Sequence, residues 1–444
     1  MLLNPKNYQV VVSFPRKTHW TKDVTPDLDG KEVVLAGWVW DVRDLGNIKF
    51  VLLRDREGII QLTIKKGVAP EGVWSLIQSL GREDAIVVKG VVKASKIAKA
   101  GVEVFPSEIH VVAKSKALPI DIWGSVETDL DTRLRYRSID LKRPINSLIF
   151  RVESEVVRAI REVLYNRGFI EVFTPKIIVT STEGGAELFA VQYFERVAYL
   201  AQSPQLYKEE LTASLERVFE IAPAYRAEKH NTNYHLNEFI SVDIEEAFAN
   251  YTDVMDVLED VIVNVYDRVN KVFGNELARY GVEVKVPRKP FRRITYDEAL
   301  DILGRRGLKI NWGDDVPKNG LEMLSEEFGE PFFIIHFPTD LRAFYTKPLD
   351  SDPRISESFD LVIGGLEIAS GSSRIHVKEQ LIEALRKRGL NPENFESHLM
   401  VYDYGMPPHA GWGMGLYRLL MVIMRRDNIR EVVLYPRDRF RLEP

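Results

Sequence analysis

The sequence predicts an α+β protein, a small all-β domain followed by a larger domain whose largely antiparallel sheet is flanked by helices. Three patterns carry that expectation. Five apolar-polar alternating runs crowd into residues 33–113, a strand, polar loop and strand occupies 225–248, and a stripe of apolar residues at helical spacing begins just beyond Ser147.

The five runs are VVLAGWVWDV (33–42), NIKFVLLR (47–54), IIQLTIK (59–65), AIVVKGVVK (85–93) and EVFPSEIHVVA (103–113), separated by Gly, Asp and Lys turns. Between the third and fourth, EGVWSLIQSL (71–80) reads as a short helix. Five strands with one helix after the third is the order of an OB-fold, a small barrel whose face and loops take oligonucleotides. A purely structural barrel is the alternative that the pattern leaves open. Phe50 and Trp40 stand near Arg43, Asp55 and Gln61, a mixture suited to stacking bases and reading their edges. A half-buried core aromatic is the other reading of Phe50. The barrel is assigned residues 1–116. Residues 117–146 have few apolar repeats and many charges, with Pro119 and Gly124, and are expected to form a hinge before the second domain at 147–444.

In that second domain Val152, Val156, Ile160, Val163 and Leu164 share one helical stripe, closed by Gly168. A further helix is expected over Asp253–Val272, while residues from about 275 to 345 read as an insertion packed on the sheet. The segment YRAEKHNTNYHLNEFISVDIEEAF (225–248) points to a nucleotide. Arg226 and Glu228, two apart in extended chain, leave the strand on one face. Arg226 suits a two-pronged hydrogen bond to phosphate, Phe239 suits a purine ring, and His235 stands where the chain turns back. Taken alone the segment is also compatible with a solvated hairpin. In AGWGMGLYRLLMVIM (410–424), Gly411, Gly413 and Gly415 lack the G-x-G-x-x-G rhythm of a dinucleotide fold, and Arg418 heads an apolar helix. No G-x-x-x-x-G-K-[ST] occurs, so phosphates must be held by side chains, metal and the 225–248 loop.

Composition sets limits. The chain has 444 residues, 45% hydrophobic and 28% charged, enough for two or three domains with sizeable cores. A net charge of −5 gives no global pull toward nucleic acid, so RNA contact must come from patches such as Lys93, Lys96 and Lys99 or the run Arg133, Arg135, Arg137, Lys142 and Arg143. With 0 cysteines there are no disulfides or thiolate sites, and any metal must be held by oxygen or histidine. The absence of an N-terminal signal pattern and of an apolar run near 18 residues leads us to expect a soluble, cytoplasmic protein with no membrane partner. Abundant Lys, Glu, Arg, Val and Ile without Cys would suit a thermophile.

Residues 225–248 resemble motif 2 of the class II aminoacyl-tRNA synthetases, 410–424 resemble motif 3, and GFIEVFTP (168–175) resembles motif 1, all in the family's order. DVRDLGNIKFVLLRDREGIIQ (41–61) resembles the anticodon-binding barrel of the aspartyl, asparaginyl and lysyl enzymes, and IREVVLYPRDRFRLEP (429–444) resembles the archaeal-type aspartyl subgroup. The resemblance implies an OB-fold barrel joined to a class II catalytic domain. It also implies a homodimer that activates L-aspartate with ATP, uses Mg²⁺, and passes the aspartyl group to tRNA(Asp).

The resemblance further assigns residues. Arg226 and Arg418 would be catalytic and, with Glu228, His235, Phe239 and Glu367, would bind ATP. Asp360, Glu367 and Ser370 in SFDLVIGGLEIASGSSRIH (358–376) would hold magnesium, hard oxygen donors that suit that ion. Gln205 and Lys208 in AQSPQLYKEE (201–210), Glu183 in STEGGAELF (181–189), Asp243, Ser370 and Arg374 would bind aspartate. Lys208 with Arg374 favours an anionic side chain over neutral asparagine by several kcal/mol, because a buried cation without a carboxylate partner is costly. In the barrel, Phe50 would stack on the middle anticodon base, Gln61 and Glu103 would bond its edge, and Arg43 would support the loop. Trp40 and Lys99 align with positions that separate restricted from relaxed tRNA choice, and here look restricted. Two residues depart from the family pattern: Tyr234 where an arginine often precedes the motif 2 histidine, and Tyr417 where an acid often precedes the motif 3 arginine. An asparaginyl enzyme and a noncatalytic RNA-binding paralogue are the competing readings.

Overall fold

The computed structural model describes residues 14–179 and 187–444 and divides into two compact units, Met1–Ser147 and Leu148–Pro444. In the first, β1 (Glu32–Asp44), β2 (Ile48–Arg54), β3 (Ile59–Lys65), β4 (Ala85–Ala94) and β5 (Val102–Ala113) close into a barrel in the order β1-β2-β3-β5-β4, with α1 (Glu71–Leu76) after β3 as expected. Alternation decides the core. Leu35, Val51, Leu53, Leu62, Val88 and Val104 are fully buried inside, while alternate residues such as Phe50, Leu52, Gln61, Lys89 and Glu103 stay half-exposed.

The expected hinge is ordered and belongs to the barrel unit. It carries α2 (Leu130–Arg135) and α3 (Arg137–Asp140), and the fully buried Arg137 donates to Asp140 at 2.7 Å. Lys142 reaches Glu83 at 2.6 Å, and Arg143 donates to the Asp121 carbonyl at 2.9 Å. The charge density that reads as a linker is internal pairing, which periodicity does not reveal.

The second unit continues α4 (Pro144–Asn166), whose stripe from Val152 to Leu164 is buried and which ends at Gly168 with φ +81°. After it come β6 (Ile170–Glu171), β7 (Ile177–Ile178), β8 (Ala190–Tyr193), β9 (Arg196–Leu200), α5 (Gln205–Leu215), β10 (Arg217–Tyr225) and β11 (Glu238–Ala247). Helix α6 (Tyr251–Ala278) starts in a capping box, Asn250 with Asp253. The chain continues through β12 (Arg292–Thr295), α7 (Tyr296–Arg305), α8 (Lys318–Phe328), β13 (Phe332–Ile335), β14 (Ser358–Ile363), β15 (Leu366–Ser373), α9 (Lys378–Lys387), α10 (Glu396–Val401), β16 (His409–Gly415) and α11 (Leu416–Met424).

Eight of these strands form one sheet in the order β12-β13-β14-β15-β16-β11-β10-β6, antiparallel except for the outermost pairs β12 with β13 and β10 with β6. The segment expected to pack on the sheet as an insertion instead extends it, supplying β12 and β13 at one edge. The long central pairing of β10, β11 and β16 brings the 225–248 and 410–424 segments side by side, with Asp243 opposite Gly413 and Glu245 opposite Gly411.

Candidate active site

One cavity of about 410 Å³ opens on this sheet, and Gln205, Arg226, Glu228, His235, Phe239, Asp243, Glu367, Ser370, Arg374 and Arg418 all line it. Residues drawn from four separate stretches of sequence thus converge. Lys208 and Asp360 sit in the layer directly behind, bonded to lining residues, and Glu183 lies outside the described residues.

The nucleotide end is cationic and held by backbone geometry. Arg226 follows the last residue of β10, and its guanidinium lies 5.5 Å from the centroid of Phe239, with no acid partner among the described residues. Arg418, in the first turn of α11, donates to the Glu367 carbonyl at 3.0 Å and to the Tyr234 carbonyl at 3.4 Å. Tyr234, one of the two departures, therefore contributes its backbone carbonyl, and its ring centroid also lies 6.0 Å from the Arg418 guanidinium. Burial pushes the His235 imidazole down to about 3, aided by the charges of Arg418, His230 and Arg226, so the ring is neutral, and its Nδ1 lies 2.7 Å from Thr232 Oγ1. Glu228, His230 and His235 place their ligand atoms within 4.8 Å of one another. The neighbouring guanidiniums oppose a dication there.

The amino-acid end is a buried ion network. Lys208, whose side chain is 3% exposed, places Nζ 3.1 Å from Asp243 Oδ1, 3.2 Å from the Trp412 carbonyl and 3.5 Å from Glu245 Oε2. Arg374 donates to both oxygens of Glu245, at 2.9 and 3.2 Å, and to Ser372 Oγ at 2.5 Å. Lys208 and Arg374 therefore meet at one carboxylate, that of Glu245. Three of Arg374's five N–H groups are used in these bonds, and its side chain lines the cavity. The expectation of two bare cations is corrected here: both are paired, and Lys208 acts from behind Asp243.

The glycines of β16 make this network possible. A Cβ on Gly411 would lie 2.1 Å from Glu245 Oε2, and one on Gly413 would lie 3.2 Å from Asp243 Oδ1. They are strand residues whose missing side chains leave room for two acids, not turn residues relieving strain.

Behind Gln205 lies a second layer. Gln205 Nε2 donates to Glu209 Oε1 at 2.5 Å, and Glu209 Oε2 accepts from Tyr402 at 3.1 Å, with His398 Nε2 at 3.6 Å and His409 Nε2 at 3.5 Å. Burial works to raise the Glu209 carboxyl, but the nearby His398 and His409 imidazoles outweigh that and hold it well below the usual range. An ionised carboxylate only accepts, so the Gln205 amide must turn its NH₂ to Glu209 and its carbonyl oxygen elsewhere, toward the cavity it lines. That oxygen suits an ammonium group.

Burial alone would lower His398, but Glu209 and Glu210 raise it to about 9. A raised folded value means its contribution is complete below the unfolded value of about 6.5 and is lost as pH rises through about 9. Thermal melts are expected to show roughly 1–3 kcal/mol lost across that window in the wild type. The variant His398→Gln should be flat across it, and an equal slope in both would show that this imidazole is not the titrating group.

At the metal end, Asp360 on β14 is directly opposite Ser370 on β15, with Glu367 three residues before it. Burial raises the Asp360 carboxyl, with Arg342 opposing and Glu367 adding. Asp360 Oδ1 is buried without a hydrogen-bond partner, an orphan oxygen of the kind a hard cation satisfies. Asp315 also reaches this region, its carboxyl raised by burial and then by Asp360.

In the barrel unit, Arg43 is opposite Phe50 in register, Phe50 opposite Thr63, and Leu52 opposite Gln61, while Gln61 Nε2 donates to Glu103 Oε2 at 3.2 Å. Arg43, Phe50, Gln61 and Glu103 thus form one band across four strands. Thr63, which bonds Glu103, was not foreseen. Trp40 lies elsewhere, at a bulge against Trp123 with ring centroids 5.8 Å apart, and Lys99 is exposed in the turn before β5. Asp55 is not a reader of bases: it is buried and holds Lys17 at 2.7 Å and Thr21 Oγ1 at 2.6 Å.

Sequence reasoning missed Glu245, Glu209, Arg342, His398 and Tyr402. For Glu245 a signal existed, since Asp243 and Glu245 alternate on one face of a strand whose other face carries Ile240, Val242 and Ile244.

Residues 129–439 match the family profile described as tRNA synthetases class II (D, K and N), and residues 33–112 match that of an OB-fold nucleic acid binding domain. The aspartate–tRNA(Asp) ligase of Pyrobaculum aerophilum is 57% identical, the alignment covering 97% of this chain and 100% of that protein. The aspartate–tRNA(Asp/Asn) ligase of Methanocaldococcus jannaschii is 48% identical, covering 97% and 98%. Among solved structures, asparaginyl-tRNA synthetase from Pyrococcus horikoshii complexed with asparaginyl-adenylate superposes with a TM-score of 0.92 at 35% identity, covering 97% and 100%.

Proposed function

The chain belongs to the class II tRNA synthetases of the D, K and N group, and from that premise we propose that it joins L-aspartate to tRNA(Asp) in two steps at the cavity described above. A carboxylate oxygen of aspartate attacks the α-phosphorus of ATP, pyrophosphate leaves, and the terminal ribose hydroxyl of tRNA then attacks the aspartyl carbonyl and releases AMP.

The observation that carries the choice of amino acid is the meeting of Lys208 and Arg374 at Glu245, buried beside the cavity. An aspartate side chain receives hydrogen bonds from Arg374. The amide of asparagine presents an NH₂ that would face a guanidinium, leaving buried donors opposed. Gln205, its oxygen turned inward, and Asp243 receive the α-ammonium group, and Glu183 is assigned the same task from the family pattern.

Positioning and electrostatics suffice for the first step. Arg226 holds the α-phosphate in a two-pronged contact, Arg418 meets the far phosphates, Phe239 and His235 flank the adenine, and Glu228 takes its edge. Asp360, Glu367 and Ser370 fit magnesium through the orphan Oδ1 and their hard oxygens, and the ion when bound neutralises the polyphosphate charge.

The band of Arg43, Phe50, Gln61 and Glu103 serves the anticodon, with Trp40 and Lys99 outside it bearing on tRNA choice. A homodimer is favoured by exposed apolar residues around the short edge strand β6, with Phe173 and Val179 each 81% exposed. No helix among the described residues is long and apolar enough to cross a membrane, in keeping with work in the cytoplasm.

The test is ATP–pyrophosphate exchange with each amino acid, followed by charging of purified tRNA(Asp) and tRNA(Asn) in parallel. Aspartate-dependent exchange and charging of tRNA(Asp) are expected. Exchange driven by asparagine alone would overturn the assignment of the amino acid, and equal charging of both tRNAs would overturn the restricted choice.

A further inference from the structure

Two of the residues assigned to magnesium are already joined to a cation of the chain's own. Arg342 Nη2 donates to Asp360 Oδ2 at 2.8 Å, and Nη1 donates to Ser370 Oγ at 3.1 Å. The guanidinium rests 3.7 Å from the ring centroid of Phe337, lines the cavity, and leaves its side chain only 15% exposed. Its hold is incomplete, because Nε is buried without a hydrogen-bond partner among the described residues, as is the other carboxylate oxygen, Asp360 Oδ1.

This arrangement has a consequence for the order in which ligands enter. One edge of Asp360 is neutralised by a guanidinium and the other is open. A divalent ion on the open oxygen would stand one carboxylate away from that guanidinium, in a poorly solvated site where like charges repel strongly. The same fork that grips a carboxylate also matches phosphate oxygens. Because Arg342 lines the cavity assigned to ATP, an incoming polyphosphate can draw it off Asp360 with a short movement of its side chain.

We propose that Arg342 is a resident counter-ion that competes with the metal for Asp360, so that a divalent ion binds weakly to the nucleotide-free chain and tightly once a polyphosphate has taken the guanidinium. The inference rests on the assignment of Asp360 to the metal. It makes ATP and its metal enter together, and it keeps a buried carboxylate from standing unpaired between turnovers.

Manganese serves as the probe, its free concentration read by electron paramagnetic resonance on the full chain. In wild type without nucleotide, binding is expected to be weak, and ATP should tighten it. The variant Arg342→Met, similar in volume and uncharged, should bind Mn²⁺ without nucleotide at least 10-fold more tightly than wild type. Mn²⁺ should also raise its thermal midpoint more than that of wild type. Arg342→Lys, which keeps the charge but not the fork, should fall between them and covers the case in which Met at this site prevents folding. Adding Asp360→Asn to either variant should erase the gain. Equal or weaker Mn²⁺ binding by both Arg342 variants, with ATP-supported binding in wild type intact and abolished by Asp360→Asn, would overturn the competition while leaving the metal assignment standing. Absence of any Mn²⁺ binding in wild type with ATP would overturn both.

Discussion

Replacing Lys208 by Met is expected to lower aspartate-dependent pyrophosphate exchange by between about 100- and 5,000-fold, the equivalent of roughly 3–5 kcal/mol for breaking a buried ion pair. The substitution removes the cation that faces Asp243 Oδ1 at 3.1 Å and Glu245 Oε2 at 3.5 Å, in a place where the lysine side chain is 3% exposed. Glu245 keeps Arg374, while among the described residues Asp243 keeps Ser241, whose hydroxyl donates to Oδ2 at 2.5 Å. The pocket changes from balanced to net negative and repels a second carboxylate. The effect should fall on the KM for aspartate, with the KM for ATP little changed, because the phosphate-facing arginines are untouched. A neutral amide is disfavoured less, so the ratio of aspartate to asparagine use should fall. Survival of aspartate-dependent exchange at near wild-type efficiency would show that Lys208 plays no part in recognition.

Arg226→Gln is expected to act on the rate instead. Loss of a pre-organised charge aimed at the reacting phosphorus costs about 10²–10³-fold in kcat, by analogy with removal of a single oxyanion donor. Its guanidinium has no acid partner among the described residues and lies 5.5 Å from the ring centroid of Phe239, so the thermal midpoint should move little. Arg226→Lys keeps the charge without the fork and should recover only part of the rate. Single-turnover measurement of adenylate formation separates this effect from slower release. A loss of stability as large as the loss of rate would mean that Arg226 holds the loop and does not meet the phosphate.

The two substitutions differ because the structure assigns the residues different surroundings. Lys208 is locked into a network before any ligand arrives, so its removal alters the pocket's charge and the ground state. Arg226 has no acid partner among the described residues, so on the proposed assignment its interaction is made only when the nucleotide is present. On the proposed assignment, selective recognition of aspartate draws on a buried ion network formed before the ligand arrives, and acceleration draws on Arg226, which has no acid partner among the described residues.

Much of this was legible in the sequence because local spacing sets which way a side chain points. Alternation over residues 33–113 gives the five strands of the barrel, since a period of two buries one face of each strand. Arg226 one residue past a strand, Gln205 and Lys208 in the first turns of a helix, and Arg418 at the head of an apolar helix are all matters of a few neighbouring residues. The reading of 117–146 as a hinge and of about 275–345 as an appendage had no such support. In the first, charges that look solvated pair within the unit, as Arg137 does with Asp140. In the second, two strands of four residues each become part of the main sheet, and such short strands carry too little alternation to be read.

By itself, then, the sequence carried the barrel strands and the longer helices, because alternation and helical spacing are set over short stretches, and its resemblance to the class II synthetases supplied the order of the three motifs and many of the residues lining the cavity. Only the tertiary structure decided the charge state of the pocket. Glu245 joins Lys208 to Arg374, which stands 129 positions away, Glu209 turns the amide of Gln205, and Arg342 occupies the carboxylate expected to hold a metal. The reason is physical: an ion pair is set by distance and burial across strands that meet only when the sheet closes, and no local pattern records which distant opposite charge will lie within reach.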